Sequence, residues 1–268
     1  METYGIDGFR FDLSKGFTQN NTLGNTAAWG QYDQSRINIL QEYADHIWSI
    51  DPDAYLILEH FADNTEEIEL SSRGMMLWGN MTTAYGQGSK GFGGSDVSNT
   101  WHVNRGWADP HLVAYMESHD EERLMYKNLS AGNSAPGYNI KELKTALSRI
   151  ELVSSFFYLI PGPKMIWEFG ELGYDYSINY CTDGSISTNC RLDAKPIRWD
   201  YKDVYIRQRI YDIDRALILL RQQPAVRDGD LEISLASQIE KKMRFRHTDM
   251  DVVVCGNFHV GNRDIAPV

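Results

Sequence analysis

The sequence predicts an α/β fold with a parallel sheet, followed by a region built only of strands. Short apolar segments alternate with helix-like segments up to about residue 223, which is typical of parallel sheets and barrels. Beyond Pro224 the helical spacing stops, and strand-like segments follow one another directly. A chain of 268 residues with 42% hydrophobic residues is long enough for one large domain or two ordinary ones.

The first part of the chain predicts strands that alternate with helices. The opening strand runs from Ile6 to Asp12, where apolar and polar residues alternate. A helix then spans Gln34 to Ser49, because its apolar residues recur at helical spacing, and Asp51-Pro52-Asp53 ends it. The elements that follow are a strand over Tyr55–Glu59, a short helix over Thr65–Ser72 and a strand over Met75–Trp78.

A segment rich in Gly, Ser and Asn, from Tyr85 to Thr100, comes next and is predicted to be a long loop. The fourth strand, Leu112 to Met116, is followed by a cluster of polar and acidic residues. After a further loop, the predicted elements are a helix over Ile140–Leu159, a strand over Lys164–Trp167 and a helix over Val204–Gln222.

The last part of the chain predicts an all-β region. Its strands are Leu231–Ala236, Lys242–His247 and Val252–Phe258, and no helix separates them. The predicted domains are therefore residues 1–224, which hold the α/β region, and residues 225–268, which begin a β-sandwich domain.

Charge and hydropathy exclude two classes of partner. The net charge is −11, the pI is about 5.1 and no basic patch occurs, so nucleic-acid binding is not expected. No run of 18 apolar residues is present, so no membrane span is expected. Met1 to Tyr4 lead straight into the first strand, and we expect no signal peptide in this sequence.

The three cysteines leave one question open. Cys181 and Cys190 bracket a Thr/Asp/Gly/Ser loop, and their spacing fits a disulfide or two free thiols equally well. A disulfide would indicate an oxidising compartment. Cys255 follows three valines and is predicted to be a buried, inert thiol.

Three carboxylates lie at the C-terminal ends of three different predicted strands: Asp12 and Glu59 are the last residues of theirs, and Asp120 comes shortly after Met116. Arg10 and Asp12 are two residues apart on a strand, so they point to the same side, and the arginine favours the ionised carboxylate. In a (β/α)8 barrel, the carboxyl ends of the strands form the active-site face. Glycoside hydrolysis needs one ionised and one protonated carboxyl group, and Asp12 and Glu59 suit these two states.

Two other interpretations of these acids remain open at this point. A buried structural ion pair between Arg10 and Asp12 would give the same pattern. A metal hydrolase could use His60 and His119 together with the acids, although no HxH or HExxH spacing occurs.

Three short motifs in a fixed order carry a resemblance to a known family. Residues 8–15, GFRFDLSK, resemble the second conserved region of the α-amylase family of glycoside hydrolases. Residues 58–61, LEHF, resemble the third region, and residues 116–120, MESHD, resemble the fourth. Residues 162–171 resemble the segment at the eighth barrel strand. The resemblance implies a partial (β/α)8 TIM barrel, about strands 4–8, followed by the beginning of an all-β domain.

The resemblance also implies roles for individual residues. Asp12 is the expected nucleophile, Glu59 the general acid/base and Asp120 the transition-state stabiliser. The family retains anomeric configuration, so the carboxyl groups of Asp12 and Glu59 should lie roughly 5–5.5 Å apart. The expected substrate is starch or a malto-oligosaccharide, cleaved at α-1,4-glucosidic bonds. The residues expected to bind it are Arg10, Lys15, His60 and His119.

Departures from the family pattern concern the metal site and the extent of the chain. The family's first conserved region, an Asp…Asn-His motif, is absent, and Gly16 stands where a histidine often follows the lysine. Both positions contribute to the family's usual calcium site. We therefore expect no metal or other cofactor in this sequence, and any calcium belongs to a full-length parent.

The leading hypothesis is a C-terminal fragment of an α-amylase-type hydrolase, with little or no activity on its own. The parent protein is expected to be secreted or extracytoplasmic. Two alternatives remain. The same acids serve a transglycosylase or an isomerase of the family, because a sugar can replace water in the second step. A non-catalytic, carbohydrate-binding member is the other alternative.

Overall fold

The computed structural model describes residues 3–266. These residues form two compact units. The first unit comprises the chain up to Gly79 together with Thr100–Ala114. The second comprises Asn80–Asn99 and the chain from Tyr115 onward.

The first unit is a parallel sheet covered by two helices. Its elements are β1 (Gly8–Phe11), α1 (Gln34–Ile50), β2 (Tyr55–Leu58), α2 (Asn64–Ser72), β3 (Met76–Asn80) and β4 (Leu112–Tyr115), of which Asn80 and Tyr115 belong to the second unit. The strand order follows the chain, and β1 pairs with β2 in parallel from Gly8 opposite Tyr55 to Phe11 opposite Leu58. The side chains of Ile37 and Leu40 on α1 pack against Leu56 and Leu58 of β2 in the core of this unit.

Local sequence explains where these elements begin and end. The Asp33 side chain caps α1 by accepting hydrogen bonds from the backbone N–H groups of Ser35 and Arg36. Strand β1 starts two residues later than predicted, at Gly8, where a Cβ atom would lie 2.2 Å from the carbonyl oxygen of Tyr55. Only glycine fits there, because the two strands approach closely at their first residues.

The second unit contains the remaining helices and an antiparallel sheet. Its helices are α3 (Thr82–Ser89), α4 (Leu124–Ala131), α5 (Leu143–Tyr158), α6 (Tyr205–Arg221) and α7 (Pro224–Arg227). Its strands are β5 (Ser134–Ala135), β6 (Tyr138–Asn139), β7 (Lys164–Met165), β8 (Asp230–Ser234), β9 (Glu240–Arg246) and β10 (Val252–Asn257). Strands β8 to β10 form the three-stranded antiparallel sheet, with β9 in the centre. The predicted class, parallel strands alternating with helices and then an all-β region, is confirmed.

One buried arginine ties this sheet to the helices. Arg149 on α5 is 3% exposed, and its guanidinium donates hydrogen bonds to four backbone carbonyl groups. Those of Gly88 and Ser89 lie at the end of α3, and those of Asn257 and Phe258 lie at the end of β10.

Three predictions about this unit are corrected. The segment from Tyr85 was predicted as a loop, but it begins inside α3. The side chain of Asn80 accepts a hydrogen bond from the N–H of Thr82, the first residue of that helix, and the fully buried Tyr85 donates to the carbonyl of Phe156. Helix α4 was not predicted at all. Cys255 is exposed instead of buried, because the alternation along β10 places it on the same face as the exposed Val253.

The structure shows which of the two states of Cys181 and Cys190, a disulfide or two free thiols, is present. Cys181 and Cys190 form a disulfide with a Cα–Cα distance of 5.1 Å. Within residues 3–266, no helix is long and apolar enough to cross a membrane.

Candidate active site

The parallel pairing of β1 and β2 brings the first two predicted acids together. Arg10 lies on β1, Asp12 follows that strand, and Glu59 follows β2. The backbone N–H of Glu59 donates to the carbonyl of Phe11 over 3.0 Å, which continues the ladder to the ends of both strands. Because the strands run in register, the two carboxyl groups leave the sheet at the same edge.

Arg10 bridges the two carboxyl groups. Its Nη1 lies 2.5 Å from Oδ1 of Asp12, and its Nη2 lies 2.6 Å from Oε2 of Glu59. A second donor to Glu59 is the backbone N–H of Leu13, at 3.1 Å from Oε2. Leu13 adopts a left-handed conformation, with φ of 44°, which is uncommon for a bulky residue and is often found at functional sites.

The two carboxyl groups occupy different environments. The side chain of Asp12 is 76% exposed, whereas that of Glu59 is 14% exposed. Burial raises the pKa of Glu59, and the hydrogen bond and negative charge of Asp12 raise it further. The Leu13 N–H group and the Arg10 charge oppose this rise in pKa. The pair therefore combines an exposed carboxylate in an ion pair with a carboxyl group that holds its proton more strongly than usual.

The structure places His60 in the interior of the first unit. Its side chain is fully buried, with Nδ1 2.8 Å from Oγ of Ser14 and Nε2 2.7 Å from Oε1 of Glu66. Burial lowers its pKa, although the Glu66 carboxylate opposes this change. His60 follows Glu59 directly, but its side chain is fully buried, whereas that of Glu59 is 14% exposed. Its expected contact with substrate stays a prediction.

A buried arginine completes this supporting network. Arg36 on α1 donates from Nε and Nη2 to the two oxygens of Glu66, each at 2.6 Å, and all three of Arg36, His60 and Glu66 are fully buried. Nη1 of Arg36 donates to the backbone carbonyl of Lys15 at 2.7 Å, which fixes the turn after β1. The Lys15 side chain is partly exposed, and its substrate contact stays a prediction.

In the second unit, the structure places His119 and Asp120 together. Nε2 of His119 lies 3.3 Å from Oδ2 of Asp120, and the backbone N–H of Asp120 donates to Oγ of Ser118 at 3.0 Å. The other carboxylate oxygen, Oδ1, accepts a hydrogen bond from Nη2 of Arg191 at 2.7 Å. The ring centroid of Trp167 is 5.6 Å from that of His119.

Sequence reasoning did not identify Arg191. It lies 71 residues beyond Asp120, so no local pattern relates the two. The available signal was its position directly after Cys190, because a disulfide fixes the residues beside it.

The described residues do not fit a metal centre. Within residues 3–266, no group of three or more His, Cys, Asp or Glu side chains is arranged to hold a metal ion.

Comparison with known proteins gives a fold relationship. No protein-family model and no curated protein sequence matches the chain. Among solved structures, the α-amylase of H. orenii has a TM-score of 0.59 and 15% identity over 96% of this chain and 52% of its own. The α-amylase of Geobacillus thermoleovorans complexed with acarbose has a TM-score of 0.56 and 17% identity over 85% and 48%.

A third structure has a different named activity. The cyclic α-maltosyl-(1→6)-maltose hydrolase of Arthrobacter globiformis has a TM-score of 0.57 and 17% identity over 94% of this chain and 49% of its own. The chain thus spans about half the length of the structures that it matches. Its fold is that of part of the (β/α)8 barrel of α-amylase-type enzymes, followed by an all-β region.

Proposed function

We propose that this chain carries part of the active site of a retaining glycoside hydrolase of the α-amylase family, which cleaves α-1,4-glucosidic bonds in starch or malto-oligosaccharides. The observation that supports this most is the Arg10 bridge between Asp12 and Glu59. It provides an ion-paired carboxylate beside a carboxyl group with a raised pKa, which are the two groups that the reaction needs.

In the first step, Asp12 attacks the anomeric carbon of the sugar. Glu59 donates its proton to the glycosidic oxygen while the bond between that oxygen and the anomeric carbon breaks. The reducing-end part of the substrate leaves as an alcohol, and the sugar stays on Asp12 as a glycosyl ester.

In the second step, the Glu59 carboxylate takes a proton from water, and the water oxygen attacks the anomeric carbon. The ester bond to Asp12 breaks, and the sugar leaves with the configuration that it had in the substrate. Asp120 accepts hydrogen bonds from sugar hydroxyl groups and stabilises the positive charge that develops on the ring in both steps. His119 and Lys15 contact hydroxyl groups of the bound sugar.

The expected ligand is a neutral oligosaccharide. Acarbose is bound in the solved α-amylase of Geobacillus thermoleovorans, which supports an oligosaccharide for this chain as well. The disulfide between Cys181 and Cys190 favours a parent protein that works outside the cytoplasm, since disulfides persist in oxidising compartments. The low activity expected for residues 1–268 alone stays a prediction.

The test uses the protein encoded by the complete open reading frame that contains this sequence. Maltoheptaose is the substrate, and NMR of the first products follows the anomeric configuration. We expect α-anomers from the wild type, and losses in kcat of about 10³-fold or more for Asp12→Asn and Glu59→Gln. Asp45→Asn, an exposed acid on α1, is the matched control and should retain full activity.

Azide rescue assigns the two roles separately. With α-maltosyl fluoride, whose leaving group needs no proton, Glu59→Ala with azide should give α-maltosyl azide, because azide attacks the glycosyl ester. Asp12→Ala should give β-maltosyl azide by direct displacement of fluoride. The same azide product from both variants would contradict the assignment, and first products with the β-configuration would exclude a retaining mechanism.

Products also separate the alternatives. Glucosyl transfer to a second sugar, or an isomerised disaccharide, would identify a transglycosylase or an isomerase with the same acids. Sugar binding without any turnover would identify a non-catalytic member.

A further inference from the structure

The disulfide loop of the second unit places an arginine on the proposed stabilising carboxylate. Nη2 of Arg191 donates to Oδ1 of Asp120 at 2.7 Å, and both side chains remain partly open to solvent, with exposed fractions of 44% and 45%. A ligand can therefore reach the ion pair. Most exposed ion pairs of this kind contribute little to stability, so stability alone gives no reason for this one.

The backbone beside Arg191 is held by more than the disulfide. Lys195 donates from Nζ to the backbone carbonyls of Tyr180 and Cys190, at 3.0 and 2.6 Å, and so connects the two ends of the loop. Glu122, two residues after Asp120, accepts hydrogen bonds from Oγ of Ser177 at 2.6 Å and from the N–H of Ile178 at 2.9 Å. The segment that carries Arg191 and the segment that carries Asp120 are thus anchored to each other.

The ion pair between Arg191 and Asp120 retains unused hydrogen-bonding capacity. A guanidinium has five N–H donors, and in the part of the chain that the structure describes only Nη2 of Arg191 has a protein partner. A carboxylate oxygen accepts two hydrogen bonds, so Asp120 can hold Arg191 and a sugar hydroxyl at once. A sugar with neighbouring hydroxyl groups offers both a donor and an acceptor to such a pair.

We propose that Arg191 is a sugar-binding residue of the candidate site, which orients Asp120 and donates a hydrogen bond to a hydroxyl group of the same sugar unit. The loop between Cys181 and Cys190 then forms one wall of that sugar's subsite. This inference rests on the proposed function, since it takes Asp120 as the residue that contacts the sugar.

Acarbose binding to the protein encoded by the complete open reading frame, measured by titration calorimetry, tests the proposal. Arg191→Gln should weaken binding about 10-fold or more, because a charge-assisted hydrogen bond to the ligand is lost. Arg191→Lys should lose less, because it retains the charge without the forked geometry. The matched control is Arg246→Gln, which removes an ion pair with Glu232 of similar exposure, 52% and 53%, on the antiparallel sheet. It should leave affinity unchanged.

Two further measurements distinguish sugar binding from a structural role. The urea concentration at the unfolding midpoint of Arg191→Gln should stay close to that of the wild type, as is usual for the loss of an exposed ion pair. The losses in affinity of Arg191→Gln and Asp120→Asn should not add in the double variant, because both act on one sugar unit. The double variant Cys181→Ser/Cys190→Ser should also weaken binding, since the loop then no longer fixes Arg191.

Each outcome has a defined meaning. Wild-type affinity in Arg191→Gln, with acarbose bound by the wild type, would overturn this inference and leave the proposed function intact. An affinity loss that only parallels a loss of stability would also overturn it. A wild-type chain that does not bind acarbose would count against the proposed function and this inference together.

Discussion

The guanidinium of Arg10 lies 4.2 Å from the ring centroid of Trp78, which is buried in the middle of β3. The Nε of Arg10 is buried and has no hydrogen-bond partner in residues 3–266, so the aromatic face is the main contact of that part of the side chain. Stacking fixes the plane of the guanidinium, and both Nη atoms then face carboxyl groups. Arg10 is thus positioned before any substrate binds.

Replacing Arg10 with lysine should show whether the site needs the planar guanidinium or only a positive charge. A lysine ammonium has no flat fork, so it cannot stack on Trp78 and bridge Asp12 and Glu59 together. We expect Arg10→Lys to lower kcat/KM on maltoheptaose about 100-fold, which is the loss of a well-placed charged hydrogen bond. Arg73→Lys, at an exposed position after α2, is the control. Equal activity of the two variants would show that charge alone suffices.

Glu67 should make the stability of the protein depend on pH. Burial raises its pKa from 4.5 to about 7, although the charge of Arg105 and the N–H group of Ala62 oppose this. Between these two values the folded chain holds a proton that the unfolded chain has lost, so stability falls as pH rises through 7. The loss amounts to about 3 kcal/mol when complete.

The variant Glu67→Gln isolates this contribution. At pH 4 the carboxyl group is protonated in both states, and the variant should resemble the wild type. At pH 8 the variant should be more stable by up to about 3 kcal/mol, because it no longer buries a charge. Urea unfolding at several pH values measures the difference. Parallel pH profiles of the two proteins would contradict the assigned pKa.

The buried hydrogen-bond network of Arg36, His60 and Glu66 should contribute to the stability of the fold. Bonds with His60 and Arg36 lower the pKa of Glu66, even though burial alone would raise it, so the carboxylate is ionised. Glu66→Gln leaves Arg36 buried without its counter-charge and should cost about 3–5 kcal/mol of unfolding free energy. Glu69→Gln, on the same helix but partly exposed, should cost less than about 1 kcal/mol. Chemical denaturation of both variants at pH 7 measures these losses. Similar denaturation midpoints for the two variants would contradict a structural role for the network that includes His60.

Cys255 should be the reactive thiol of the native chain. It is exposed, whereas Cys181 and Cys190 are joined. A native sample should therefore give one thiol per chain with a colorimetric disulfide reagent, and Cys255→Ser should give none. Three thiols in the untreated wild type would mean that the disulfide does not form.

Local pattern predicted most of the fold, and long-range contacts explain the misses. Helix α1 begins at the predicted residue because Asp33 caps it from the neighbouring position. Helix α4 was missed because its first residue is held by a distant side chain. The N–H of Leu124 donates to the carboxylate of Glu117, seven residues earlier. No pattern at helix spacing contains that contact. Tyr85 shows the same effect, since its hydrogen bond to Phe156 spans 71 residues.

The residues of the candidate site show the same contrast between local pattern and long-range contacts. Asp12 and Glu59 were identified because each follows a strand, and parallel register then places them together. The burial of His60 was not foreseen, because adjacency to Glu59 in sequence does not mean a shared side of the chain. Arg191 was missed because its contact with Asp120 depends on the conformation of a disulfide-closed loop. Strand periodicity indicates which acids converge, whereas only tertiary structure shows which basic residues reach them.

The four carbonyl groups that Arg149 holds have a consequence for how the chain melts. Detaching the antiparallel sheet from the helices would leave a buried guanidinium without acceptors from Asn257 and Phe258, which is costly in a dry interior. The strands after Pro224 and helix α5 should therefore denature in one cooperative step. A change of secondary-structure pattern along a sequence need not mark a thermodynamic boundary.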